Sequence, residues 1–160
     1  MRSPLGTTIR GRALKFTVVD LGRDYPGHIS DFADARNSFI KDLPDGEYVL
    51  FVDRDEEAPK MLLNYIRSLK PQFPYYWVRR IELVNNKYVP VFNPNYNGKL
   101  CSNKIRFIGR VHEMIAPREP HGMIDIPIIH NHSGPASYSG GAQSKIKLGL
   151  LKVREVVRGW

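Results

Sequence analysis

Cysteine is nearly missing from this chain. The single Cys101 rules out an internal disulfide framework and suits a reducing compartment, so a cytoplasmic setting is expected. No apolar run is long enough to span a bilayer. The opening stretch MRSPLGTTIRGR has no apolar core, so it does not read as a secretory signal. Internal repeats and a clear linker are also lacking, which points to one domain. Acid is in short supply: 16 Asp and Glu stand against 24 Lys and Arg, with a net charge of +8 and a pI near 9.7. That imbalance favours anionic partners, whether nucleic acid, nucleotides or an acidic membrane face, without choosing among them. What remains is ordinary for a globular protein, with 42% hydrophobic and 25% charged residues. A chain of this length buries about 70% of its unfolded surface, so it needs no staples.

Local patterns place most elements. LKFTVVDL (14–21) is a β-branched run and reads as a strand. Ser30 stands where an N-cap would, and Phe32, Ala35, Phe39 and Leu43 recur at helical spacing, so a helix is expected over 31–43. YVLFVD is a continuous apolar strand of the kind covered on both faces. Pro59 and the stripe Met61, Leu62, Tyr65, Ile66 and Leu69 mark a second helix. This β-α-β-α order argues for an α/β sheet. Further on, YYWVRRIELV and KYVPV flank Asn85-Asn86, a hairpin turn. FNPNYNGKLCSN (92–103) is rich in Asn, Gly and Pro and reads as loop. KIRFIGRVHEMI (104–115) reads as a strand broken at Gly109, and MIDIPIIH (123–130) as another strand. SGPASYSGG (133–141) reads as loop and 145–160 as a basic amphipathic helix.

The segment YVLFVDRDEE poses the chemical question, because an apolar strand ends in Asp53, Arg54, Asp55, Glu56 and Glu57. In an extended segment residues two apart point the same way, so Asp53 and Asp55 would share a side at the C-terminal end of the strand. That end is where open α/β sheets bind ligands. A hard divalent cation, Mg²⁺ or Mn²⁺, would cancel the repulsion between the two carboxylates and face a diphosphate. A solvated helix N-terminus explains the same acids without any ligand.

The run DFADARNSFIKDLPDGEYVLFVDRDEE (31–57) resembles the middle of a family 2 glycosyltransferase of the GT-A fold. The matching elements are Asp31-Phe32-Ala33, Ala35-Arg36-Asn37, Gly46-Glu47 and the Asp-x-Asp of Asp53-Arg54-Asp55. RFIGRVHEMI (106–115) resembles the family's Val-His-Glu strand. IIHNHSG before a Lys-rich helix resembles its closing His-x-Gly. The resemblance runs in order over roughly 14–158. It implies a GT-A-like, Rossmann-like mixed sheet flanked by helices. It implies transfer of a sugar from a nucleotide-diphosphate donor to a glycan, lipid-linked or protein acceptor. Asp53, Asp55 and His132 would hold Mn²⁺ or Mg²⁺, with His130 the competing histidine. Asp31, Arg36, Asn37 and Arg54 would contact the donor, and Glu113 would be the general base of an inverting reaction. Divided this way, the chain has a lead over 1–13, a β-α-β-α part over 14–70, acceptor-side strands and loops over 71–141, and a terminal helix over 142–160.

Two departures accompany the resemblance. The family's first βα unit, which binds the base, should lie before residue 14, so the chain reads as N-terminally shortened or as starting upstream. Asn93 also stands where the family often has an arginine. Other readings are a nucleic-acid binder or Mg²⁺-dependent nuclease, with Tyr75, Tyr76 and Trp77 beside Arg79 and Arg80 as a stacking surface, and this ranks second. A shortened domain that only assembles with a partner, or dimerises through exposed strand edges, is a third. The terminal helix would allow weak contact with an anionic membrane.

Overall fold

The apolar run before the acids is β2 (Glu47–Phe51) in the computed structural model, which describes residues 14–90, 93, 95–110 and 112–132. Its side chains alternate between two cores. Tyr48, Leu50 and Val52 join Leu62, Ile66, Val78, Leu100 and Ile128 on one side. Val49 and Phe51 join Ala33, Ala35, Ile40, Tyr75, Cys101 and Phe107 on the other. A strand wedged between two apolar layers has no polar face, which is why its sequence does not alternate.

Helices supply both layers. On one face lies α3 (Lys60–Ser68), which Pro59 starts and which buries Leu62 and Ile66. Met61 and Tyr65, part of the expected stripe, are exposed. The other face is covered by α2 (Phe32–Ile40), preceded by the short α1 (Leu21–Asp24). Asp31, rather than Ser30, caps α2 by accepting from the Asp34 N–H at 3.1 Å. The helix is shorter than its 31–43 periodicity suggests.

The architecture is mixed α/β. β1 (Lys15–Val19) runs parallel to β2 at one edge of the main sheet. The sheet then continues through β6 (Asn95–Cys101), β4 (Tyr75–Val84) and β9 (Gly122–His132) to the two-residue β3 (Glu56–Glu57), seven strands with β5 (Lys87–Tyr88) paired to β4. β6 is antiparallel to both neighbours, and β9 is parallel to β4. β2 and β3 are joined by only Val52–Asp55, yet three strands stand between them in this order, with β2 next to one edge and β3 at the other. The acidic segment therefore bridges a curled sheet.

Three sequence expectations change. The stretch 92–103 is not all loop, because Asn95–Cys101 forms the central strand β6, where pairing on both sides overrides weak local propensity. Its Gly98 lies under Tyr75 and Ile115, where a Cβ would collide with the Ile115 side chain. The stretch 104–115 does break at Gly109, which turns the chain at φ 98°, but its halves β7 (Arg106–Ile108) and β8 (Met114–Ala116) pair with each other as a separate antiparallel ribbon. The acidic segment is not extended either, since the Glu56 N–H returns to the Asp53 carbonyl at 2.9 Å and closes a turn. The Asn85-Asn86 hairpin is present, with both residues at positive φ. The lead over 1–13, the loop over 133–141 and the helix over 145–160 lie outside the described residues. Among the described residues no helix is long and apolar enough to cross a membrane.

Candidate functional site

On the α2 side of the sheet a cleft opens beside Ile115, where the β7–β8 pair meets β4 and β6. The resulting cleft has a volume of about 650 Å³. Its floor carries Tyr75, Trp77, Tyr96 and Lys99; its walls carry Arg36, Asp53, Glu113 and Arg118.

Arg36 organises one wall. Its Nε donates to Glu113 Oε1 at 2.9 Å, and its Nη2 lies 3.8 Å from Asp53 Oδ1. The guanidinium also lies over the rings of Phe51 and Phe107, 5.1 and 5.6 Å from their centroids, which holds the fork in place. One residue of α2 thus joins the end of β2 to the residue just before β8. Asn37 anchors the same region, because its side-chain amide donates to the Phe107 carbonyl at 2.8 Å and accepts from the Phe107 N–H at 2.7 Å.

Arg118 reaches the cleft from the loop before β9. Tyr75 Oη donates to the Arg118 carbonyl at 2.7 Å, and Trp77 Nε1 donates to Tyr75 Oη at 3.1 Å. His121 stacks on Trp77, with centroids 4.9 Å apart. Tyr75 and Tyr76 are 1% and 4% exposed, so neither offers a base a stacking face.

Below the cleft lies a chain of buried charges. Lys99 Nζ donates to Glu56 Oε1 at 2.7 Å and lies 3.5 Å from Asp53 Oδ2. Arg80 Nη1 donates to Glu56 Oε2 at 2.8 Å and its Nε to Glu82 Oε2. Burial alone would raise the Glu56 carboxyl, but Lys99, the Asp53 N–H and Arg80 together hold it below its ordinary 4.5. Glu82 follows the same logic. Burial works against its charge, yet hydrogen bonds from His130 and His132, with Arg80 alongside, bring it down to about 2.

His130 links this chain to Asp55. Its Nε2 is 2.7 Å from Asp55 Oδ2 and its Nδ1 is 2.8 Å from Glu82 Oε1. A neutral imidazole has one N–H, so carboxylates on both nitrogens call for the doubly protonated ring. Burial disfavours that charge, but the bonds to Glu82 and Asp55 win and the ring sits above its ordinary 6.5. His132 Nε2 lies 3.0 Å from Glu82 Oε1.

The residues singled out from the sequence therefore divide into groups. Arg36, Asp53 and Glu113 meet in the cleft. Asp55 turns to His130 and His132 to Glu82. Asp31 caps α2 and Asn37 holds β7. Arg54 is exposed on the β2–β3 turn near Gly22. Asn93 braces the β4–β5 hairpin, donating to the Val89 carbonyl at 2.6 Å and accepting from the Glu82 N–H at 3.0 Å. Lys99, Glu82 and Arg118 went unrecognised in the sequence, and Glu56 and Arg80 were singled out there only as part of the acidic run and of a stacking surface. Glu82 left a trace there, as a lone carboxylate in the apolar run IELV.

No family model matches this chain, and no curated protein matches it.

Proposed function

We propose that the chain is a glycosyltransferase of GT-A type that takes a nucleotide-diphosphate sugar into the cleft. The observation that carries this reading is the convergence of Arg36, Asp53 and Glu113 on one wall of a cavity of about 650 Å³. Four cationic residues line it, Arg36, Arg80, Lys99 and Arg118; Arg80 and Lys99 are paired with Glu56 and Glu82 beneath it, and Arg36 with Asp53 and Glu113. The guanidinium forks of Arg36 and Arg118 have the geometry to meet the phosphate oxygens of a diphosphate. Tyr96, a half-buried ring of the floor, offers aromatic surface to a sugar.

In this reading the acceptor hydroxyl gives its proton to Glu113, whose Oε1 is held by Arg36. The acceptor oxygen bonds to the anomeric carbon while the bond from that carbon to the diphosphate breaks. The electron pair leaves with the nucleoside diphosphate, and the cations of the cleft stabilise its growing charge. The anomeric centre inverts.

The Mn²⁺ or Mg²⁺ expected from the Asp-x-Asp pattern was to sit among Asp53, Asp55 and His132. As these residues stand they do not fit one ion: Asp53 lies between Arg36 and Lys99, Asp55 is on His130 and His132 on Glu82.

Hydrolysis of a panel of nucleotide sugars, with and without Mn²⁺, tests the reading. One donor should turn over, and Glu113→Gln should slow acceptor-dependent transfer by about 10²–10⁴-fold, the usual contribution of a general base. No turnover of any donor, together with nucleotide-independent binding to RNA or DNA, would replace this function with the nucleic-acid alternative.

A further inference from the structure

Glu82, His130 and His132 bring one ligand atom each to a common point, all within 4.8 Å of one another. Strand register explains why. His130 and His132 are two apart on β9 and so share a face, and His130 pairs directly with Glu82 on the parallel neighbour β4. Glu82 and His130 are buried, and the two imidazole rings lie 4.0 Å apart by centroid.

We propose that Glu82 Oε1, His130 Nδ1 and His132 Nε2 form a binding site for a divalent transition metal of the zinc class. Two imidazoles and one carboxylate are a donor set that suits Zn²⁺ or Co²⁺ far better than Mg²⁺, which prefers oxygen alone. The spacing is close to what such an ion needs. Bonds of about 2.0–2.1 Å around a tetrahedral centre put ligand atoms roughly 3.3 Å apart. Glu82 Oε1 now lies 2.8 Å from His130 Nδ1 and 3.0 Å from His132 Nε2, so a few tenths of an ångström of opening admits the ion.

The surroundings are those of a metal centre. Asp55 Oδ2 lies 2.7 Å from His130 Nε2, on the side of the ring away from Glu82. With the ion on Nδ1, the Nε2–H donates to Asp55, the carboxylate–histidine–metal arrangement that fixes tautomer and ring orientation. Arg80 holds the other oxygen of Glu82, leaving Oε1 for the ion. The ion takes the place of the proton that His130 otherwise shares with Glu82. Since β3 pairs with β9 at His130, the bound ion pins the acidic segment, through Asp55, to the far end of the sheet.

This site stands apart from the nucleotide-sugar reading and is tested without any donor. The full, untagged chain is stripped with a chelator and titrated with Zn²⁺ by calorimetry, and with Co²⁺ by visible absorption. One equivalent of each should bind, Zn²⁺ should raise the melting temperature, and Mg²⁺ should do neither. His130→Ala and His132→Ala should each weaken Zn²⁺ binding by at least about 100-fold. Asp55→Asn should weaken it about 10–100-fold, and Asp53→Asn should leave it unchanged. Paramagnetically shifted ring N–H resonances from histidine in the Co²⁺-loaded wild type answer the question even where a variant does not fold. Absence of Zn²⁺ binding by the wild type, binding by His132→Ala equal to the wild type, or Co²⁺ binding without shifted histidine resonances would each overturn the site. Failure of donor hydrolysis would not.

Discussion

Lys99 is an ammonium about 5% exposed, and what stabilises it is the pair of carboxylates from Glu56 and Asp53. Removing one side of such a pair leaves a charge uncompensated in a poorly solvated place. Glu56→Gln should therefore destabilise the chain by about 3–5 kcal/mol at pH 7, read from urea unfolding. The effect has a pH signature. The folded carboxyl lies below its ordinary 4.5, so its stabilising contribution is present above that value and is lost as pH falls through the folded value. The gap between wild type and Glu56→Gln should narrow from pH 5 toward pH 3; a constant gap would mean that the glutamate acts by shape alone. Cys101 offers an independent check of the core. Full burial pushes its thiol up to about 12. A thiol reagent at pH 8 should label it only as fast as the chain opens, and rapid labelling of the native state would contradict the packing. Lys99 did not stand out in the sequence, and Cys101 did so only as the lone cysteine, because the Asn- and Gly-rich stretch around them read as loop.

At the scale of elements, the strands that carried period-two or continuous apolar patterns were legible: β2, β4 and most of β9. The β4–β5 turn was legible too, since adjacent Asn residues tolerate the positive φ that a tight hairpin needs. β6 was not, because its place between β2 and β4 comes from pairing across the sheet rather than from its own residues. Gly122 marks where β9 begins against β4. A Cβ there would run into the Tyr76 ring and come within 2.9 Å of Phe73. Both rings are packed edge to face, with centroids 5.8 Å apart, and have little room to move. Gly122→Ala should cost about 1–3 kcal/mol of stability, in the range of other overpacked cores. A thermal melt equal to that of the wild type would show that the β4–β9 start relaxes freely.

For the whole molecule, the cleft depends on one residue shared by three elements. Arg36 on α2 holds Asp53 after β2 and Glu113 before β8. Arg36→Gln should loosen the β7–β8 wall and remove the guanidinium fork proposed to meet the diphosphate. The expected result is a loss of about tenfold or more in nucleoside-diphosphate affinity, roughly 1.4 kcal/mol, measured by calorimetry. The wild-type affinity should also fall with added salt, because much of it comes from cations at a partly open surface. Unchanged affinity in Arg36→Gln would place the anion elsewhere.

The chain by itself determined its α/β class, the span of β2, the presence of α2 and α3, the hairpin at Asn85-Asn86 and the concentration of acids after β2. Those features follow from side-chain periodicity and turn chemistry over a few neighbouring residues. Only the tertiary structure decided what the acids do. Glu56 meets Lys99 across 43 positions, Asp55 meets His130 across 75, and Arg36 meets Glu113 across 77. A carboxylate's role is set by the charge that ends up beside it, and the curl of the sheet, not local spacing, brings those charges together.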